Sequence, residues 1–323
     1  MSMKNLRIIF MGTSDFAVAT LGTLLMNGFN VTAVVTAPDK PAGRGRKMKI
    51  SPVKQFAELS SLPVMQPENL KDQIFIDALA AYKPDIFIVV AFRMLPEAVW
   101  KMPPMGTINL HASLLPHYRG AAPINWAVIN GETMTGVTTF FIDEKIDTGK
   151  ILLREGIHIF QGENAGDLHD RLMRHGARLV IRTLIALTED HIEPQPQSAF
   201  LKPGEVPKEA PKIFPEHCII NWDQEPVQIH NFIRGLAPYP AARTFLTSEN
   251  EKLLLKLFES HPENGSHEHK PGKIISDGKT YIKIACRNGW INILSLQAEG
   301  RKKLNTPDFL RGFDVSKYWL ESI

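Results

Sequence analysis

Asn109 and His111 stand two residues apart in GTINLHA, and Asp147 follows in IDTG, near the end of the run from Ile108 to Leu152. The residues around Asn109 and His111 read as a short strand. Residues i and i+2 of a strand point to one face, so Asn109 and His111 aim at one space while Leu110 aims the other way, into the core. Asp147 returns in a Gly-flanked loop after a further strand. An amide, an imidazole and a carboxylate converging on one space can perform acyl transfer. The amide and a protonated imidazole can hold a developing oxyanion, and the carboxylate can orient the imidazole or manage the proton leaving an amine.

Each residue alone has a blander reading. An Asn-x-His pair is commonly a satisfied polar pair at a sheet end, and Asp and Gly form turns. The text between them shifts the balance. SLLPHYRGAAP, Ser113 to Pro123, has no periodicity that a core would require. It packs Ser, Pro, Arg, Gly and small residues into a constrained loop, and such loops carry function.

The elements that must position these residues are legible as alternation. LRIIFMG, VTAVVT, LPVMQ, DIFIVVA and GTINLHA read as buried strands, with helical spacing between them in FAVATLGTLLMNG and SPVKQFAELSS. This predicts an α/β fold, a doubly wound, mainly parallel, Rossmann-like sheet with helices on both faces. Ligands of such sheets sit beyond the carboxyl ends of the strands. A long helix is predicted over Glu163 to Glu189. Six prolines then fall between Asp190 and Pro215, which predicts a semi-rigid linker. Beyond it, one helical stretch, PVQIHNFIRGLAPYP, precedes short alternating segments that suggest a small β-barrel. The expected division is therefore 1–189 for a catalytic domain, 190–215 for the linker and 216–323 for the barrel.

At 323 residues two domains are expected, and no apolar run is long enough to span a bilayer. The start, MSMKNLRIIFMG, lacks the features of a signal peptide, and Cys218 and Cys286 form no CxxC, which suits a reducing cytoplasm. No metal is expected: the histidines of HPENGSHEHKPG read as a polar loop. GTSDF, Gly12 to Phe16, lacks the spacing of a dinucleotide site. The net charge of +3 announces no nucleic-acid binder, so any such role rests on local clusters. Two exist. DKPAGRGRKMK carries Arg44, Arg46, Lys47 and Lys49 beside an early βα crossover, and the second is Arg301, Lys302 and Lys303. Basic flexible loops approach phosphates.

NLHASLLPHYRGAAPINWAVINGE and the later DTGKIL resemble the signature of the folate-dependent formyltransferases. LRIIFMGTSDFA, APDKPAGRGRKMKISPVK, IRGLAPYPAARTFL and LQAEGRKKL look like the branch that formylates methionine carried on initiator tRNA. The resemblance implies 10-formyltetrahydrofolate as donor, the α-amine of that methionine as acceptor, and an OB-like barrel at the C-terminus. It makes Asn109, His111 and Asp147 the catalytic residues. The folate would lie against the loop Phe92, Arg93, Met94 and Leu95, against Ser113, Leu114, Leu115 and Pro116, and against Asp143. That branch usually reads AYGLILP where this chain reads AFRMLP, one residue shorter and closer to the purine-pathway members. The basic clusters would hold tRNA, and a monomer is expected. Two other readings stay open. A formyltransferase for a small amine, such as an amino-sugar nucleotide, would use the same three residues but should lack the basic loop and LQAEGRKKL. A non-catalytic folate- or RNA-binding module has no reason to keep all three.

Overall fold

The computed structural model describes residues 5–42 and 47–320, with only the backbone at 41, 42 and 47. Two compact units form from interleaved chain. The first holds the chain up to Gly120, Thr135–Ile157 and His169–Ala210; the second holds Ala121–Met134, His158–Leu168 and the chain from Pro211.

In chain order the first strands are β1 (Ile8–Gly12), β2 (Val31–Val35), β3 (Lys40–Ala42), β4 (Lys47–Lys49), β5 (Val64–Met65), β6 (Ile86–Val90), β7 (Thr107–His111), β8 (Met134–Phe141) and β9 (Ile151–His158). Seven of them make one sheet in the order β5-β2-β1-β6-β7-β8-β9. The pairs from β5 to β7 are parallel, and β8 runs antiparallel to β7. β1 and β6 are buried at every position, as continuous apolar runs require when helices cover both faces. The strand order reverses between β1 and β6, and their carboxyl ends, with that of β7 beside them, form the crevice where such sheets bind ligands. At the opposite edge Arg7 donates to both Asp85 oxygens, at 3.1 and 2.7 Å, stapling the starts of β1 and β6. This holds the Asp85 carboxyl below its usual range.

The helices are α1 (Asp15–Met26), α2 (Pro52–Leu59), α3 (Gln73–Ala81), α4 (Glu97–Trp100), α5 (Pro123–Ile129) and α6 (Ala165–Thr188). Ser51 starts α2 by accepting the Lys54 amide at 3.0 Å, with Pro52 at the first helical position. α6 carries Gly176 against Leu110, the residue between Asn109 and His111. A Cβ there would stand 2.8 Å from Leu110 Cδ2.

The second unit adds α7 (Pro226–Leu236), β10 (Ala242–Thr247), β11 (Lys252–Asn264), β12 (Ile274–Ser276), β13 (Ile282–Cys286), β14 (Gly289–Ala298), β15 (Leu304–Asn305), α8 (Thr306–Leu310) and β16 (Trp319–Leu320). The order β12-β13-β14-β11-β10-β16 is a nearly closed antiparallel barrel. Ile229, Ile233, Leu255, Leu257, Ile284, Ile291 and Phe309 fill it. α5 belongs to this unit, with Asn125 donating to the Gly235 carbonyl at 2.8 Å. Among the described residues no helix is long and apolar enough to cross a membrane.

Three stretches differ from expectation. The ends of the basic loop pair as a β3–β4 ribbon, with Lys40 opposite Lys49. β11 runs on into HPEN, and the His267 and His269 rings pack 4.5 and 5.4 Å from Trp290. The stretch 190–210 is stitched into the first unit rather than hanging between units: Gln195 bridges Ile151, and Ala210 donates to Arg119 O. Proline removes donors from this stretch but leaves its carbonyls and remaining amides free to pair.

Candidate active site

His111 ends β7 and is 7% exposed. Its Nε2 lies 2.8 Å from the Tyr118 carbonyl. A carbonyl only accepts, so Nε2 carries the proton and the ring is fixed in orientation. Nδ1 then faces Asp147 Oδ2 at 3.7 Å. The same carboxylate oxygen accepts the Gly120 amide at 2.9 Å. Asn109 is half-buried on the face it shares with His111, and its side-chain amide makes no hydrogen bond among the described residues. The imidazole and the Asp147 carboxylate thus meet at the carboxyl end of β7, on the strand face that also carries the unspent Asn109 amide.

Each loop leaving the carboxyl ends of β6, β7 and β8 contains a non-glycine residue in the left-handed region. These are Ala91 at φ 47, Tyr118 at φ 62 and Asp147 at φ 55. Such conformations cost about 1–3 kcal/mol each and concentrate at functional sites. At Tyr118 the turn brings the carbonyl onto His111, and at Asp147 it brings the carboxylate back to β7. Gly149 is required beside it, since a Cβ there would overlap the Phe141 carbonyl oxygen.

The expected folate-side residues divide by what their side chains do. Arg93 donates to the carbonyls of Pro67 and Glu68, tying its loop to the segment after β5. Phe92 and Leu95 pack into the core on that side of the sheet, and Met94 is 73% exposed. Ser113 spends its hydroxyl on the His117 carbonyl at 2.7 Å. Leu115 is buried with Phe140 and Ile151, Pro116 is buried, and Leu114 lies against Gly136. Asp143 accepts from the Lys145 amide and the Thr148 hydroxyl, at 3.1 and 2.7 Å, and closes its own loop. The structure therefore brings Asp147 to His111, with Asn109 on the same strand face, whereas several of the surrounding side chains are spent on shaping their own loops.

Sequence reasoning missed Arg119 and Gln197. Arg119 sits inside SLLPHYRGAAP, so its motif was in view. Gln197 has no local signal; it lies in the proline-rich stretch. The residue is 5% exposed, and its amide joins the two loops that hold His111 and Asp147. Of the basic residues, Arg44, Arg46 and the Lys47 side chain lie outside the described residues. Lys49, Arg301 and Lys302 are exposed, and Lys303 pairs with Glu259 at 3.1 Å.

Residues 5–184 match the family described as formyl transferase, and residues 212–314 match the formyl transferase C-terminal domain. The chain belongs to the formyl transferase family. Within it the relatives are specific. The methionyl-tRNA formyltransferase of Bacteroides fragilis is 52% identical over 318 residues, covering 98% of each chain. That of Bacteroides thetaiotaomicron is 51% identical over 317 residues, again 98% of each. That of Flavobacterium johnsoniae is 51% identical over 314 residues, 97% of this chain and 98% of its own. Among solved structures, the sugar 3N-formyl transferase WlaRD, determined with dTDP and 5-N-formyl-THF, matches at TM-score 0.64 and 20% identity, covering 92% of this chain and 99% of its own. The N-formyltransferase from Helicobacter canadensis, with folinic acid and dTDP-3-aminofucose, matches at 0.63 and 20%, covering 93% and 100%. These two establish the fold; the full-length relatives establish the branch.

Proposed function

We propose that this folate-dependent formyl transferase moves a formyl group from 10-formyltetrahydrofolate to the α-amine of methionine on initiator tRNA. Asn109, His111 and Asp147 carry the chemistry. The observation that supports this best is the 3.7 Å approach of His111 Nδ1 to Asp147 beside the unspent Asn109 amide, in a chain half identical to methionyl-tRNA formyltransferases along its length.

A neutral amine attacks the formyl carbon, and a C–N bond forms as the carbonyl electrons move to oxygen. Asn109 donates to that oxygen; a preorganised donor of this kind contributes about a hundredfold or more. Because Nε2–H is held by Tyr118 O, Nδ1 is the ring nitrogen that meets the reacting centre. The Asp147 carboxylate receives the proton of the attacking amine directly or through one water. Return of a proton to the departing folate nitrogen, as the C–N bond to the donor breaks, completes the transfer. The crevice at the ends of β1, β6 and β7 is where the pterin would lie.

Formyl transfer belongs to the first unit, and tRNA is held by that unit's basic loop of Arg44, Arg46, Lys47 and Lys49 together with the barrel. A row of outward residues in the barrel, Arg243, Lys256 and Gln297, joins Arg301 and Lys302 as phosphate ligands. The three are neighbours across β10, β11 and β14 and line a cleft of about 190 Å³. Arg243 Nε is buried there without a hydrogen-bond partner. The deciding experiment incubates the protein with 10-formyltetrahydrofolate and, in parallel, methionyl initiator tRNA, free methionine and an amino-sugar nucleotide. Formylation of the charged tRNA alone is expected; preference for the sugar nucleotide overturns the reading.

A further inference from the structure

The Gln197 side chain uses its whole hydrogen-bonding capacity on the two catalytic loops. Its Nε2 donates to the Asp147 carbonyl at 2.8 Å and to the Gly149 carbonyl at 2.9 Å. Its Oε1 accepts from Arg119 Nε at 3.0 Å and Nη2 at 2.6 Å. Two donors and two acceptor sites are all that a primary amide has. One end therefore grips the loop that carries Asp147. The other grips the residue between Tyr118, whose carbonyl fixes the His111 ring, and Gly120, whose amide holds the Asp147 carboxylate.

The backbone around Gln197 repeats the pattern. Gln195 and Ile151 exchange amide-to-carbonyl bonds at 2.8 and 2.9 Å just after the Asp147 loop. Downstream, Tyr118 donates to Lys208 O at 2.5 Å, Ala210 donates to Arg119 O at 2.8 Å, and His117 lies 3.3 Å from Glu205. The segment from Gln195 to Ala210 thus runs as a strap across both loops, with Gln197 as its buried contact. Asp147 needs such support, because its own backbone is held in the left-handed region at φ 55, a conformation that persists only where its surroundings impose it.

We infer that Gln197 is a positioning residue for the formyl transfer, acting through Asp147 by fixing the carboxylate against His111. The inference rests on the catalytic assignment of Asp147 given above. A glutamate in its place keeps the shape and still accepts from Arg119. It cannot donate to the two carbonyls, so it would release the Asp147 loop alone. An alanine would release both loops.

The test is a double-mutant cycle in the full chain, comparing Q197A, Q197E, D147N and the doubles Q197A/D147N and Q197E/D147N. kcat and KM are measured for charged tRNA and formyl donor, with melting temperature as a check on folding. The expected result is a loss of about a hundredfold in kcat for Q197A and Q197E, the scale of a 1 Å misplacement. KM for both substrates should stay within about twofold, since no substrate contact is removed. In the D147N background either Gln197 substitution should cost almost nothing further, because its effect passes through the carboxylate already lost. If Q197A does not fold, Q197E carries the same cycle. Near-wild-type kcat in Q197E, or losses that multiply with those of D147N, overturn the positioning role. A D147N enzyme with normal turnover instead overturns the assignment of Asp147, so the two failures are separable.

Discussion

A carbonyl oxygen decides which nitrogen of His111 is left free for the proposed chemistry. Tyr118 O takes Nε2–H, which leaves Nδ1 facing Asp147. Asn109→Ala removes the proposed oxyanion donor and no structural bond, so turnover is expected to fall about a hundredfold or more with an unchanged melting temperature. His111→Ala and Asp147→Ala should fall at least as far. Combining the three should lose little beyond the worst single variant, since they act as one unit. Steady-state kinetics on charged tRNA check this; a triple variant whose losses multiply would mean the residues act separately. The pair on β7 was legible because strand alternation alone puts Asn109 and His111 on one face. Asp147 was legible from its Gly-flanked loop. The tautomer was not, because it depends on a carbonyl seven residues away whose direction is set by the left-handed turn at Tyr118. Gln197 was invisible for a related reason: no pattern in 190–215 distinguishes a strap from a tether, and only tertiary pairing tells them apart.

At the scale of elements, a loop and a helix carry testable consequences. Gly149→Ala places a methyl on the Phe141 carbonyl, so the Asp147 loop must shift. A few degrees in melting temperature and about a hundredfold in turnover are expected; normal turnover would show that the loop can yield without moving the carboxylate. On α7, burial, with Arg234 and His261 nearby, lowers the His230 pKa from 6.5 to about 4. Between those values the unfolded chain binds more protons than the folded one. Stability should therefore decline as pH falls from about 6.5, and level off below about 4. His230→Asn retains a partner for the Ser260 hydroxyl, which lies 3.1 Å from Nδ1, and should reduce the fall in melting temperature between pH 7.5 and 5. An equal fall in both proteins would remove His230 as its source. The parallel strands and α6 were readable because apolar runs and helical spacing are local. The β3–β4 ribbon was not, because its Lys- and Gly-rich text has no burial pattern and closes through backbone pairing.

For the whole molecule the question is how a chain with a net charge of +3 holds a polyanion. Charge must be local, and contacts with phosphates are counted by salt dependence, since each releases counterions and adds close to one to the slope of log affinity against log salt. The barrel carries two candidate sets. Arg301 and Lys302 are exposed beside the β14–β15 turn, whereas Lys303 already pairs with Glu259 and lies over the Phe258 ring, so its charge is partly spent. Arg243 and Lys256 face each other across β10 and β11. Neither is paired with a carboxylate among the described residues, and both line a cleft of about 190 Å³ whose rim also carries Glu299. The double variant Arg243→Ala/Lys256→Ala is expected to weaken binding of initiator tRNA and reduce the salt slope by about one to two. Arg301→Ala/Lys302→Ala should do the same, and Lys303→Ala alone should change the slope least. Removing both pairs should sum, because separate phosphates release separate counterions. Filter binding or fluorescence titration from low to moderate salt measures each slope. An unchanged slope in the Arg243 and Lys256 variant would make that row a solvated face and leave the turn at Arg301 as the barrel's hold on the nucleic acid.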